Sequence, residues 1–87
     1  MKILLIQPPF TIFRTEPKKC HPPLGLAYLA AVLKEGHEVM VLDALAEGYE
    51  SEEIIDKGFI RYGLSFEDIK KRIAAYLPDV VCVSCLF

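Results

Sequence analysis

The cysteines Cys82 and Cys85 have the spacing of many metal-binding and redox pairs. They lie in or beside an apolar segment that we predict to be a strand, where residues three apart point to opposite faces. A redox pair would usually open a helix, where the thiolate is stabilised. We therefore interpret Cys82 as a small core residue and Cys85 as a loop residue. The sequence predicts no metal ligand and no catalytic residue in this chain.

Two histidines are the other candidate metal ligands, because imidazole binds metals readily. His21 lies in a proline-rich loop, and the sequence offers no partner that would orient it, so we interpret it as facing solvent or contacting phosphate. His37 follows the end of a predicted helix and is interpreted as a turn residue. Arg14, Lys18 and Lys19 could attract phosphate, but three charges in a loop are more often simply solvated.

Polar side chains follow two of the predicted strands. Ligands of parallel sheets bind beyond the carboxyl ends of the strands, where the strand order reverses. Asp43 ends the second strand and could touch a ligand hydroxyl or be an exposed strand-end carboxylate. Ser84 follows the third strand and could contact a ligand or be an ordinary loop hydroxyl. The sequence leaves both alternatives open.

The elements that would position these residues alternate between strand and helix. Aliphatic runs at residues 3–6 and 80–83, and a strand over 38–42, predict a buried parallel sheet. Helices are predicted over residues 25–35, capped by Gly36, and from Ser65 to Pro78, with an N-terminal cap at Ser65. The order β-α-β-α-β predicts a parallel α/β sheet with strand order 2-1-3.

Two stretches between these elements are predicted to be less regular. Residues 7–24 contain five prolines and are predicted to be a loop. Residues 44–64 are mixed, with Ser51 capping a short helix that ends at residue 56 and a brief extended piece over 59–62. The helix over 25–35 is apolar on both sides, so we expect Tyr28 and Val32 to be covered by a following domain, by missing elements of this domain or by another subunit.

Composition and charge narrow the function classes. The 87 residues form one domain at most, and an apolar content of 53% is enough for a core. A net charge of −2 with mixed signs gives no case for nucleic acid or an anionic membrane surface. No apolar run reaches the roughly 20 residues of a membrane span. Three cysteines without a disulfide pattern, and an N-terminus unlike a signal peptide, predict a cytoplasmic protein.

The connection after the first strand excludes several cofactors. Residues 7–24 contain no glycine, so neither the dinucleotide fingerprint nor a phosphate-binding P-loop is present. The residues after the first strand are not the acidic ones that a receiver domain needs. A long, proline-stiffened loop suits a large, flat ligand or an insertion that contacts another domain. The apolar final segment predicts that the chain is the front part of a longer protein.

Five segments in order carry a resemblance to a known family. They are residues 2–9 (KILLIQPP), 22–30 (PPLGLAYLA), 36–39 (GHEV) continuing to Asp43, 62–65 (YGLS), and 78–81 (PDVV) continuing to Ser84. Together they cover most of the chain. With them the chain resembles the N-terminal cobalamin-binding domain of cobalamin-dependent radical-SAM enzymes.

The resemblance implies a flavodoxin-like (Rossmann-like), three-layer α/β domain with cobalamin across the carboxyl edge of its parallel sheet. Residues 1–87 would be the N-terminal part of this single domain, whose later strands are absent, so the sheet is incomplete. The implied cofactor contacts are Gln7, Pro8, Pro9, Leu24, Gly25, Ser84, Cys85 and Leu86, with Asp43 bordering the same edge.

One departure from related cobalamin proteins is informative. Those that ligate cobalt through the protein carry Asp-x-His-x-x-Gly, whereas residues 20–25 are CHPPLG, with the glycine one residue too far from His21 and no aspartate before it. The resemblance therefore implies base-off cobalamin without a histidine ligand. The cysteine triplet of radical-SAM chemistry is also absent from these 87 residues. A 4Fe-4S cluster and S-adenosylmethionine are thus expected in a C-terminal radical-SAM domain of a methyltransferase-like parent protein.

Two other functions remain open at this point. The Gly-His-x-Val pattern at residues 36–39 also occurs in the N-terminal domain of two-domain glycosyltransferases, although their first loop usually has early glycines. A degenerate interaction module with an empty site is the third hypothesis. The expected partners are cobalamin and the radical-SAM domain, with no nucleic acid and no membrane.

Overall fold

The computed structural model describes residues 1–84. Within that range it contains six strands and three helices. In chain order these are β1 (Lys2–Gln7), β2 (Phe10–Phe13), α1 (Leu24–Leu33), β3 (Glu38–Asp43), α2 (Ala44–Glu47), β4 (Glu52–Asp56), β5 (Phe59–Tyr62), α3 (Phe66–Tyr76) and β6 (Val80–Val83). None of the helices in residues 1–84 has the length and apolar character needed to cross a bilayer.

The parallel sheet has β1 at its centre, in the order β3-β1-β6. Ile3 is paired with Val39 on one side and with Val80 on the other. The predicted α/β class with a parallel sheet is confirmed. The predicted order 2-1-3 is correct when only the three parallel strands are numbered. Numbered over all strands, the order is β3-β1-β6, because strands of a second sheet lie between them in the sequence.

Alternation along β1 divides the core into two layers. Side chains of successive strand residues point to opposite faces of a sheet. Ile3 and Leu5 pack with Leu26 and Ala30 of α1 on one face. On the other face, Leu4 and Ile6 pack against α3. That second cluster contains Leu4, Ile6 and Leu42, with Met40, Leu64, Ile69, Ile73 and Tyr76 against it. The arrangement has the three layers predicted from the sequence.

A second, antiparallel sheet corrects the prediction for both irregular stretches. Its order is β2-β5-β4, and Phe10 of β2 is paired with Tyr62 of β5. The predicted loop over residues 7–24 therefore contains a strand, and the short helix predicted after Ser51 is instead β4. The extended piece predicted over residues 59–62 is confirmed as β5.

The two long helices show how far the apolar pattern predicts burial. Helix α1 buries Leu26 and Ala30, whereas Tyr28 and Val32 on its outer side are 76% and 69% exposed. Its C-cap is Lys34 and not the predicted Gly36. At the start of α3, the Ser65 hydroxyl accepts a hydrogen bond from the backbone N–H of Asp68 at 3.1 Å, as predicted.

Candidate functional site

The carboxyl ends of β1 and β6 meet at one point of the sheet edge. Backbone pairing continues one residue past β6, since the N–H of Ser84 donates to the carbonyl of Ile6 at 3.0 Å. The Ser84 hydroxyl then donates to Oε1 of Gln7 at 2.7 Å. Gln7 is only 5% exposed. Topology therefore joins two polar side chains from distant parts of the sequence into one fixed pair.

An open cleft of about 240 Å³ lies above this pair. Its walls come from the ends of β1 and β6, the proline-rich segment before α1, and the first turn of α1. The described residues that line it are Gln7, Phe10, His21, Pro22, Pro23, Leu24, Gly25, Leu26, Leu45 and Ser84. Among them His21 carries the one titratable side chain, so the cleft wall is mostly apolar and uncharged.

Gly25 opens the cleft on the side of α1. It lies in the first turn of that helix, and a Cβ added to it would meet no atom within 4 Å. Glycine is therefore not required by crowding from other parts of the described chain. The space beside it is continuous with the cleft and available to a ligand.

Four of the predicted cofactor contacts come together around the cleft. They are Gln7, Leu24, Gly25 and Ser84. Two others, Pro8 and Pro9, carry the chain from β1 to β2, and Pro9 lies against Gly63. Cys85 and Leu86 lie outside the described residues.

Asp43 has a local structural role. Its Oδ1 accepts a hydrogen bond from the backbone N–H of Ala46 at 3.0 Å, which caps α2. Its Cα is the strand partner of Gln7, so the two residues are neighbours on the sheet edge. An Asp cap satisfies a backbone donor that a helix start would otherwise leave free. Asp43 therefore fixes the start of α2, whose next residues include Leu45 of the cleft wall.

Several cleft residues were not among the predicted contacts. Phe10 and Leu45 were missed because they lie on β2 and α2, which the sequence analysis did not predict. The aspartate at position 43 followed by ALAE was the local signal for α2, since Asp is a favoured N-cap. His21 was considered and interpreted as facing solvent or phosphate, and it is an exposed residue of the cleft rim.

Within residues 1–84, no group of three or more His, Cys, Asp or Glu side chains could hold a metal ion. A cofactor can also be held through its organic part, without such a group. The mostly apolar wall and the Gln7–Ser84 pair suit that kind of binding, because cofactor sites combine apolar surface with a few placed polar groups.

Comparison with known families identifies the domain. The model of the B12 binding domain matches residues 11–87, which is most of the chain. The chain belongs to the B12-binding domain family. Cobalamin is the cofactor for which this family is named, and the cleft described above lies at the carboxyl edge of the parallel sheet.

Two curated relatives are larger methyltransferases. The chain is 48% identical over 89 residues to the cytidylyl-2-hydroxyethylphosphonate methyltransferase of Streptomyces wedmorensis, which covers 99% of the chain and 17% of that protein. It is 38% identical over 85 residues to an uncharacterized methyltransferase of Pyrococcus horikoshii, with 97% of the chain and 15% of that protein covered. The B12-binding domain thus spans about one-sixth of these relatives. No solved structure matches it significantly.

Proposed function

We propose that this chain is the cobalamin-binding module of a radical-SAM methyltransferase and that it binds the cofactor at the cleft between β1, β6 and α1. The observation that carries the proposal is the position of the cleft. It lies above the Gln7–Ser84 pair, in which Gln7 is buried, at the carboxyl edge of the parallel sheet of a B12-binding domain. This edge is the general ligand site of open α/β sheets.

The volume of the cleft indicates that only part of the cofactor would lie inside it. Pockets for drug-sized ligands enclose about 300–1,000 Å³, and the cleft of about 240 Å³ is smaller than that. A group as large as cobalamin would therefore place only one part in the cleft and lie with the remainder across the exposed sheet edge. Gln7 and Ser84 supply polar partners for the inserted part, and Leu24 and Gly25 an apolar wall.

The full set of proposed contacts is wider than the described cleft. It includes Gln7, Pro8, Pro9, Leu24, Gly25, Asp43 and Ser84, together with Cys85 and Leu86. Bound cobalamin would supply a cobalt centre for methyl-group transfer. The role of this chain's residues is to hold and orient the cofactor, and none of them takes part in bond making.

We propose that the cofactor is bound base-off without a histidine ligand. A metal-ligating histidine normally donates its second ring N–H to a carboxylate or carbonyl that orients it. The supporting aspartate of the cobalt-ligating motif stands two residues before its histidine, and Lys19 occupies that position here. His21 therefore lacks the sequence feature that would prepare it for cobalt.

The reaction of the longer protein is proposed from its relatives. Both relatives are named as methyltransferases and are about six times as long as the matched region. We infer that a following domain of the same polypeptide carries a 4Fe-4S cluster, uses S-adenosylmethionine, and works in the cytoplasm. Cobalamin at the sheet edge would then face the domain that binds the substrate.

Titration with hydroxocobalamin tests the proposal. The full-length protein is expected to bind it stoichiometrically, and to give the absorption spectrum of the base-off form. The spectrum should be unchanged in His21→Ala. A folded protein that does not bind hydroxocobalamin would overturn the cofactor assignment. A spectrum that changes in His21→Ala would overturn only the absence of a histidine ligand.

A further inference from the structure

The side chain of Tyr62 holds part of the proline-rich loop that precedes α1. Tyr62 ends β5 and is 1% exposed. Its hydroxyl donates to the carbonyl of Lys19 at 2.6 Å and accepts from the N–H of the same residue at 2.9 Å. Both backbone groups of one exposed loop residue are thus bonded to one buried side chain, which fixes the loop at that point.

Aromatic rings and an ion pair support this contact. The rings of Phe10 and Tyr49 pack edge-on against Tyr62, with centroids at 6.4 and 5.7 Å. The Lys18 ammonium lies 4.6 Å from the centre of the Tyr49 ring and binds Glu52 at 2.9 Å. The hydrogen bond that Lys18 donates to Glu52 raises the pKa of Lys18. We call Phe10, Tyr49 and Tyr62 the aromatic clamp.

The clamp is connected to the cleft in two ways. Phe10 belongs to the clamp and also lines the cleft. On the loop side, Lys19 is two residues from His21, which begins the run through Pro23 that forms a cleft wall. Prolines restrict the backbone of this run, so the position of Lys19 determines where the wall lies.

We propose that Tyr62 is a positioning residue for the cofactor: it holds the proline-rich loop where it forms the wall of the cobalamin cleft. This inference rests on the proposed function. It assigns a role to the antiparallel sheet, which is to carry the clamp to the sheet edge at which the cofactor binds. Tyr62 touches neither cofactor nor substrate, and its effect passes through the backbone of Lys19.

Replacing one hydroxyl separates positioning from folding. Tyr62→Phe keeps the ring and removes both hydrogen bonds to Lys19. We expect its dissociation constant for hydroxocobalamin to rise about tenfold, equivalent to 1.4 kcal/mol. Tyr28→Phe is the matched control, because Tyr28 is 76% exposed on α1 and belongs to neither the clamp nor the cleft lining, so this variant should bind hydroxocobalamin as the unaltered protein does. If Tyr62 had only a structural role, the dissociation constant of Tyr62→Phe, measured at a temperature well below the midpoint of unfolding, would equal that of the unaltered protein.

Two measurements on the loop itself complete the test. In the unaltered full-length protein, amide hydrogen exchange at Lys19 should be slow for an exposed residue, since its N–H is bonded to a buried hydroxyl. Trypsin should cleave at Lys18 and Lys19 faster in Tyr62→Phe than in Tyr28→Phe, and added hydroxocobalamin should slow that cleavage. Rapid exchange at Lys19, or equal affinity in both variants, would overturn the positioning role. Absence of cobalamin binding by the unaltered protein would instead overturn the proposed function, and the exchange rate would still decide whether the clamp exists.

Discussion

At the scale of single residues, the Gln7–Ser84 pair shows how a cleft acquires polar groups without charge. The Gln7 amide oxygen is buried and accepts its hydrogen bond from the Ser84 hydroxyl. A buried polar atom without a hydrogen-bond partner has lost its bonds to water and gained none in the protein, which destabilises the folded state. The pair is therefore a structural contact of the sheet edge as well as a candidate cofactor contact.

Removing the Ser84 hydroxyl should weaken both stability and binding. Ser84→Ala leaves Oε1 of Gln7 without its donor, so we expect a loss of about 1–2 kcal/mol in the free energy of unfolding. Urea denaturation measures this loss, and titration should show weaker hydroxocobalamin binding. Ser65→Ala is the control, because it removes the α3 cap and costs about 1 kcal/mol with no effect on affinity. Equal affinity in Ser84→Ala would contradict its role as a cofactor contact.

Gly25 allows occupancy of the cleft to be tested without loss of the fold. Its missing side chain leaves open space in the first turn of α1. Gly25→Leu should therefore leave the free energy of unfolding unchanged or raise it by up to about 1 kcal/mol, because leucine favours helix more than glycine does. The larger side chain would fill the proposed cofactor space and lower the affinity for hydroxocobalamin at least about tenfold, or 1.4 kcal/mol.

The control for this change is Gly36→Leu, at another glycine beside which the described chain leaves open space. Gly36 follows the other end of α1, and its substitution should leave hydroxocobalamin affinity unchanged. If Gly25→Leu bound cobalamin as tightly as the unaltered protein, the cofactor would have to lie elsewhere on the sheet edge.

At the scale of elements, local pattern decided what could be predicted. Strands β1, β3 and β6 were predictable because apolar runs mark strands buried in parallel sheets. Strands β2, β4 and β5 are held by pairing between distant segments, as in Phe10 with Tyr62. The sequence EEIID of β4 is exposed and poor in residues that favour strands. No local rule predicts such a strand, so the cleft residues near the second sheet were missed as well.

Gly48 follows α2, packs against the backbone at the end of β5 and should tolerate no side chain. It is buried, and an added Cβ would lie 2.2 Å from the backbone of Gly63 and Leu64. Backbone cannot move aside as a flexible side chain does, so Gly48→Ala should cost about 3 kcal/mol in the free energy of unfolding.

Chemical denaturation measures this cost, with Gly58→Ala as the control. Gly58 lies in the turn between β4 and β5, where an added Cβ meets no atom within 4 Å. Its substitution should change the free energy of unfolding by less than about 0.5 kcal/mol. Similar stabilities of the two variants would show that α2 and β5 are less closely packed than described.

At the scale of the whole molecule, one face of α1 is apolar and exposed. Tyr28 and Val32 are 76% and 69% exposed, beside Leu24 and Leu29 at 64% and 42%. Contiguous exposed apolar surface marks an interaction site or a tendency to associate. The expectation that a further domain or subunit covers this face stays a prediction.

The isolated 87-residue chain should self-associate through this face. Sedimentation velocity over a wide range of concentration is expected to show a rising average mass, which the double change Tyr28→Gln with Val32→Lys should abolish. Ile54→Gln is the control, because Ile54 is 73% exposed on β4 and distant in sequence from this face. Association that persists in the double variant would assign it to another surface.

The central place of β1 also has a consequence for synthesis. It precedes both of its neighbours in the chain, so it is synthesised before either can pair with it, and its partner residues Gln7 and Ser84 are 77 positions apart. Until β6 emerges, one row of β1 backbone donors and acceptors lacks its final bonds. Sheets closed by such distant pairings form slowly. A nascent chain of this protein would therefore present a vacant strand edge, open to chaperones or misassembly, until β6 has emerged.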